Sequence, residues 1–275
     1  MDHQKKDIGM KKCLPGLLLL SLFGSAQALE TPLHIPYAPD IAKIIERGEL
    51  RVAMYGNNFP PFIIKSKDGS VSGYNVEVAQ AIATQLGVKL FIDSSAQTFD
   101  GAVALVALDK DDMAVSSLTA TPDRALSVDF SVPYYQMPQA LLMNKKSASK
   151  KWQLKADIIS NAPLRIGVSA GSSYSSYAKL AFPHAQLMTY PNLPAGLEKL
   201  AANNYDVIFT DALSAEQATK SGLTMVVLGG EHVDPLTIAV NVNAPHLLGW
   251  LNTYLTSPEV RATGLKDGVL GLKAS

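Results

Sequence analysis

Ser116-Ser117-Leu118-Thr119-Ala120-Thr121-Pro122-Asp123-Arg124 is the stretch whose reading decides the fold of this chain. The apolar residues from Asp112 to Ser116 predict a strand, and the polar loop that follows opens into a helical turn. Thr121 fits the N-cap and Pro122 the first helical position. The N–H groups of such a turn have no partner within it and carry partial positive charge. Arg124 adds a planar, permanently charged fork whose geometry matches two carboxylate oxygens. Ser117 and Thr119 bring hydroxyls and backbone groups close by. The stretch therefore reads as a receptor for a carboxylate. Read locally, it serves equally well as an ordinary capped turn with a solvated arginine.

Working outward, strands and helices alternate, which predicts α/β layers with largely parallel sheets. Before the loop come a helix over 40–47 closed by Gly48, a strand over 50–54 and a two-proline loop over 57–62. A turn at 67–70, a helix over 76–86 capped by Gly87, a strand over 88–92 and a helix over 102–108 follow. Residues 140–143 form another strand. The pattern then restarts, with strands over 164–168, 187–190, 205–209 and 225–228 and helices over 174–181, 195–202 and 212–221. After Pro235 one more strand, 237–242, and a helix over 246–255 complete it. This is a first lobe, an inserted second lobe over 144–231, and a return to the first over 232–275. Two crossings between lobes make a hinge with a cleft.

Four ordered blocks carry a resemblance. They are Asn58-Phe59-Pro60-Pro61-Phe62, Gly73-Tyr74-Asn75-Val76-Glu77, Thr121-Pro122-Asp123-Arg124 and Asp129-Phe130-Ser131-Val132-Pro133-Tyr134-Tyr135. Together they resemble the family 3 periplasmic solute-binding proteins, the polar amino-acid receptors of ABC importers, from about Asp40 to the C-terminus. The resemblance implies an α/β, two-lobe periplasmic binding protein fold of type II. It implies that Arg124 grips the ligand carboxylate with Thr119 donating to it, and that Ser117 faces the α-ammonium. Phe59 and Phe99 would wall the side chain, Ser172 and Ser173 would donate from the second lobe, and Asp211 would pair with the ammonium. Phe59 and Phe99 also suit a core, and Asp211 also suits an N-cap. Asn75 replaces an aspartate common in its block. Tyr55 stands where many members carry an acid, which favours a neutral polar or apolar side chain on the ligand. The implied partners are an ABC permease and its ATPase, with the chain monomeric.

The N-terminus reads as an export signal. Met10-Lys11-Lys12 is followed by an apolar run from Leu14 to Phe23 and by Ser25-Ala26-Gln27-Ala28, the three-part pattern of a secretory peptide over residues 1–28. The run is about half of the roughly 20 residues that a spanning helix needs. Met10 is the expected start and the periplasm the expected compartment. The single cysteine, Cys13, falls within this segment, so the mature chain needs no disulfide. Apolar residues make up 47% of the 275 and charged residues 17%, with zero net charge. That composition predicts a buried core and argues against nucleic acid or a membrane surface as partner. The four histidines beyond residue 28, His34, His184, His232 and His246, are widely spaced and give no metal pattern, and no glycine-rich phosphate loop is present, so no cofactor is expected.

Two catalytic readings compete. Gly167-Val168-Ser169-Ala170-Gly171 matches the G-x-S-x-G hydrolase elbow between a strand and a helix, yet no oxyanion-loop motif precedes it. A cyclohexadienyl (prephenate or arogenate) dehydratase on the same fold would keep the carboxylate-gripping arginine and add a proton donor. Glu77, Asp100 and a pocket tyrosine are the candidates for that donor.

Overall fold

The computed structural model describes residues 35–144, 163–220, 222–228, 233–258 and 260. The expected export signal, Cys13, His34, His232 and the expected crossing at Glu231 lie outside these residues. Among the described residues no helix is long and apolar enough to cross a membrane.

The first lobe is built on a sheet of β1 (Glu49–Tyr55), β4 (Lys89–Ala96) and β5 (Met113–Thr119), with β6 (Val128–Phe130) and β12 (Val233–Asn241). β1 runs parallel to both β4 and β5, and β12 runs antiparallel to β5 and β6. A small hairpin, β2 (Ile64–Lys65) with β3 (Val71–Ser72), stands apart. The helices are α1 (Pro39–Arg47), α2 (Tyr74–Leu86), α3 (Phe99–Ala107) and the single turn α4 (Pro122–Ala125). The long β7 (Tyr135–Asn144) leads into the second lobe. There β8 (Arg165–Ser169), β9 (Gln186–Tyr190), β10 (Val207–Asp211) and β11 (Leu223–Val227) alternate with α5 (Ser173–Ala181), α6 (Leu193–Ala201) and α7 (Ala212–Thr219). The helix α8 (Pro245–Thr256) returns to the first lobe.

Both sheets are buried on two faces, and strand periodicity sorts the side chains between them. In the first lobe Val52, Met54, Val115, Ile238 and Val240 face one way, against Val78 and Ile82 of α2 and Leu247 and Leu251 of α8. Ala53, Ala114 and Ala239 face the other way, against Val103 and Val106 of α3. The small side chains on that second face let α3 lie close to the sheet. In the second lobe Leu141, Met143 and Phe209 meet Ala178 and Phe182. Ala140, Leu142 and Ile208 meet Leu200, Ala215 and Ala218. Each fully buried large aliphatic side chain contributes on the order of 1.5–3 kcal/mol.

β7 belongs to both lobes and meets β12 at the crossing. Residues 135–138 of β7 pair with 233–236 of β12, and from Gln139 onward β7 pairs with β10 and β11. The expected first crossing at 144 is the end of this strand, whereas the change of partner falls at Pro138–Gln139. Proline was expected to precede the last strand, yet Pro235 lies within it, opposite Gln136. It is tolerated because the pairing there asks no N–H of that residue. The helix expected from Ala102 starts at Phe99, because the Thr98 hydroxyl accepts the Gly101 N–H at 2.9 Å and caps it.

Asp111, in the loop before β5, is buried at 3% exposure. Among the described residues no group hydrogen-bonds its Oδ2. Burial, and then the neighbouring Asp93 and Asp112, push its carboxyl up from 3.8 to about 6, against the attraction of Arg51 and Arg47. The folded chain thus holds this proton where the unfolded chain has lost it. Stability contributed by the neutral carboxyl is present below pH 4 and lost as pH rises to about 6. Asp111→Asn removes that loss. At pH 7.5 the variant is expected to be more stable by about 1–3 kcal/mol, a rise of several degrees in Tm. At pH 4 the difference disappears. Thermal melts across pH 4–8 that run parallel for the two proteins would contradict this account.

Candidate functional site

The two lobes face each other across a cleft of about 660 Å³ of atom-free space, part of it open to solvent. All nine residues expected to bind ligand line it: Tyr55, Phe59, Phe99, Ser117, Thr119, Arg124, Ser172, Ser173 and Asp211. The lobes also touch around it. The Tyr55 hydroxyl donates to the Pro191 carbonyl at 3.4 Å, and the Gln217 amide to the Pro60 carbonyl at 3.0 Å.

Ser117 is held in an unusual conformation. Its φ is 51°, a left-handed value that costs a non-glycine residue on the order of 1 kcal/mol or more. A closed ring of hydrogen bonds maintains it. The Ser117 N–H donates to the Tyr134 hydroxyl at 3.1 Å, Tyr134 donates to Asn75 Oδ1 at 2.8 Å, and Asn75 Nδ2 donates to Ser117 Oγ at 3.1 Å. Burial raises the Tyr134 phenol far above its ordinary pKa, so it stays a donor. The amide of Asn75 supplies both an acceptor and a donor here, which an aspartate would not. The Ser117 hydroxyl is therefore committed to Asn75, and its approach to a ligand rests on the backbone.

Arg124 is 6% exposed at its side chain. Its Nε donates to Oδ1 of Asp100 at 2.9 Å, and Nη2 makes an ion-pair contact with the same oxygen at 2.8 Å. Nη1 donates to the Thr119 carbonyl at 2.9 Å, and Nη2 to the Gly171 carbonyl at 3.4 Å. Three of the five guanidinium hydrogens thus have protein acceptors, and one on each of Nη1 and Nη2 remains. Asp100 takes the Nε of the guanidinium, so what Arg124 can offer a ligand is its Nη1 and Nη2 end. The turn α4 is only four residues long. The Thr121 hydroxyl accepts the Arg124 N–H at 3.3 Å. The positive character of the site therefore comes from Arg124 rather than from a helix terminus.

Across the cleft, Asp211 is 2% exposed at the N-cap of α7. Oδ1 accepts the Ser214 N–H at 2.7 Å, and Oδ2 accepts the Thr210 hydroxyl at 3.3 Å. Burial pushes its pKa up, and those hydrogen bonds draw it down. Ser172 and Ser173, both 7% exposed, open α5, and the Ser172 hydroxyl donates back to the Ser169 carbonyl at 2.7 Å. Gly171 precedes them with φ 62°. A Cβ there would lie 2.8 Å from Cβ of Thr98 in the other lobe. The aromatic wall is continuous. Tyr55 stacks on Phe99 at 4.5 Å between centroids, and Phe59 meets Phe99 edge-on at 5.5 Å.

Sequence reasoning missed several residues of the lining, chiefly Asp234, Tyr174 and Tyr190. Asp234 is 2% exposed, accepts from Gln139 Nε2 at 2.6 Å, and lines the cleft together with Tyr174. Burial raises its pKa. Only the register of β12 reveals it, since the strand begins four residues before its expected start.

The hydrolase reading fails on geometry. Ser169 lines the cleft, but among the described residues no histidine does, and Asp206 is paired with Arg165 at 2.9 Å. Of the proton donors considered for a dehydratase, Glu77 lines a separate surface groove with Gln80 and Tyr254. Asp100 faces an outer groove behind Arg124. Among the described residues no group of three or more His, Cys, Asp or Glu side chains is placed to hold a metal ion.

Comparison with known proteins agrees with this geometry. The chain is 29% identical over 189 residues to the L-cystine-binding protein TcyJ of Escherichia coli (strain K12), covering 68% of each chain. It is 26% identical over 201 residues to the cyclohexadienyl dehydratase of Pseudomonas aeruginosa, covering 72% of this chain and 70% of that one. Among solved structures it superimposes on the ancestral amino acid-binding protein AncCDT-1, a precursor of cyclohexadienyl dehydratase. The TM-score is 0.71 at 28% identity, over 82% of this chain and 96% of that one. The profile of one family matches residues 50–260, so the chain belongs to the bacterial extracellular solute-binding proteins, family 3.

Proposed function

We propose that this protein is the periplasmic receptor of an ABC importer and closes by its hinge on an amino acid or a close analogue. The observation that carries this reading is the placement of two buried, opposite charges on opposite lobes of one cleft, Arg124 on the first and Asp211 on the second. A zwitterion satisfies both at once, and only when the lobes are together, so ligand and closure favour each other. The ligand carboxylate would take the remaining Nη1 and Nη2 hydrogens of Arg124 with Ser173 from the second lobe. Its ammonium would lie against Asp211, and its side chain against Tyr55, Phe59 and Phe99. TcyJ and AncCDT-1, by their names an L-cystine-binding and an amino acid-binding protein, support this class of ligand. Residues 1–28 would direct export, the second lobe would span 144–231, and a monomer would meet the permease and its ATPase through the lobe surfaces.

One observation favours a second reading, a dehydratase acting on prephenate-like acids. Asp234 lies in the cleft with Tyr174, its pKa raised by burial. A carboxyl that keeps its proton to higher pH can act as a general acid.

Calorimetric titration of the mature protein, unfolded and refolded to strip bound ligand, separates the two. The panel is the common amino acids, L-cystine and prephenate. Binding of one or a few amino acids is expected, weakened by about two orders of magnitude or more in Arg124→Ala, as when one partner of a buried charge pair is removed. Turnover of prephenate without amino-acid binding would replace the transport reading with the enzymatic one.

Asp211 serves as a helix cap whatever else it does, and two substitutions separate the roles. Asp211→Ala removes the cap at a cost of about 1 kcal/mol, lowering Tm by about 2–4 °C, and also weakens binding. Asp211→Asn keeps an oxygen for the Ser214 N–H, so Tm is expected to hold. Its affinity nevertheless falls by about tenfold or more, because the ammonium loses its counter-charge. Full affinity in Asp211→Asn would confine the residue to capping. In the native protein affinity also falls on acidification, starting above the ordinary carboxylate range because burial raises this pKa.

A further inference from the structure

Arg124 stands between two spaces. On one side is the ligand cleft. On the other is an outer groove lined by Asp100, Thr121, Asp123, Ser172, Ser173 and Ser176. The side chain of Asp100 is 57% exposed while that of Arg124 is 6% exposed. Asp100 is therefore a water-facing counter-ion placed at the back of a buried cation. Its contacts with the guanidinium use one oxygen, Oδ1, which accepts the Nε–H at 2.9 Å and lies 2.8 Å from Nη2 as an ion pair.

The backbone of Asp100 adds a second connection. Its N–H donates at 3.0 Å to the carbonyl of Gly171 in the other lobe. The same carbonyl accepts Nη2 of Arg124 at 3.4 Å. One acceptor of the second lobe thus gathers two donors of the first. Close approach is possible because Gly171 has no Cβ to meet Thr98. Thr98, Phe99 and Asp100 are consecutive at the start of α3. One helix start therefore supplies the contact with Gly171, an aromatic wall of the cleft, and the support of the arginine.

We infer that Asp100 is a positioning residue for the carboxylate receptor. Its Oδ1 holds the Nε edge of Arg124 away from the cleft so that the Nη1 and Nη2 end is presented to the ligand, and its N–H ties that orientation to lobe closure through Gly171. Without an acceptor at Oδ1, the buried Nε–H has none, and the guanidinium turns toward the outer groove to find one. The inference rests on the amino-acid-binding reading for its affinity readout, but not for its spectroscopic one.

Because a single oxygen does the positioning, Asn can replace Asp geometrically whereas Ala cannot. Titrating the common amino acids and L-cystine, Asp100→Ala is expected to bind about tenfold more weakly or worse with an unchanged melting curve, while Asp100→Asn stays within about threefold of the native protein. In an Arg124→Ala background, Asp100→Ala is expected to add nothing, since the two residues act as a unit. Native affinity in Asp100→Ala, or equal losses in the Ala and Asn variants, would overturn the inference. If the native protein binds none of the panel, the proposed function fails, and the arginine side chain decides the inference separately. By nitrogen-15 NMR, the Arg124 Nε–H signal, assigned by its loss in Arg124→Ala, should exchange slowly with water in the native protein and in Asp100→Asn. It should exchange fast in Asp100→Ala. Equal exchange in all three would overturn the positioning role.

Discussion

Every property of the cleft depends on two antiparallel strands, one of which, β7, runs from the first sheet into the second. β7 and β12 pair with each other over four residues, then part, one into the second lobe and one into the first. A pair of extended strands resists stretching and shear, because sliding by one residue would turn every side chain to the wrong face. It bends and twists far more readily. The lobes are therefore free to open and close in one way, and a residue on either lobe returns to the same place at each closure. That constraint lets Arg124 and Asp211, 87 positions apart in the chain, act as the two ends of one site. The Gln139–Asp234 hydrogen bond at 2.6 Å joins the two strands at this point and puts a carboxylate where the hinge meets the cleft.

Burying a cation and an anion on separate lobes is costly in isolation, and the fold offsets the cost locally on each side before any ligand is considered. Arg124 has two carbonyls and Asp100, and Asp211 has the Ser214 N–H and the Thr210 hydroxyl. Such local satisfaction keeps each lobe stable on its own. It also limits what remains for a ligand, so affinity comes from completing nearly satisfied shells rather than from pairing naked charges. The left-handed backbone at Ser117 follows the same logic, since its strain is held by the ring through Tyr134 and Asn75.

The parts of this arrangement legible in the sequence are those set by neighbours in the chain. Thr121-Pro122-Asp123-Arg124 announces a capped turn because the cap and its proline are consecutive, and Gly171-Ser172-Ser173 announces a loop entering a helix. Resemblance, not spacing, then assigned these residues to one site, and all nine line one cleft. The residues that sequence reasoning missed are set by pairing between distant strands. Asp234 follows from the register of β12 against β7, which continues through a proline that normally argues against a strand. Tyr174 and Tyr190 stand at the expected start of a helix and the expected end of a strand, and only the packing of the second lobe turns them to the cleft. The carboxylate fork was legible as chemistry but not as geometry, because nothing near Arg124 in the chain shows that Asp100 takes its Nε edge.

Asp100 also shows why neither role of a site residue can be inferred from exposure alone. A half-exposed carboxylate paired with an arginine is ordinarily a surface ion pair of small energetic weight. Here its partner is buried and forms one wall of the cleft, so the weight of the pair lies in direction rather than in attraction. The same helix start that carries Asp100 carries Phe99 into the cleft and Thr98 against Gly171. A shift of α3 would therefore move the aromatic wall, the arginine and the lobe contact together. Small residues on the sheet face beneath it, Ala53, Ala114 and Ala239, hold α3 close and leave little room for such a shift. The precision of the ligand site thus begins with three alanines that never approach it.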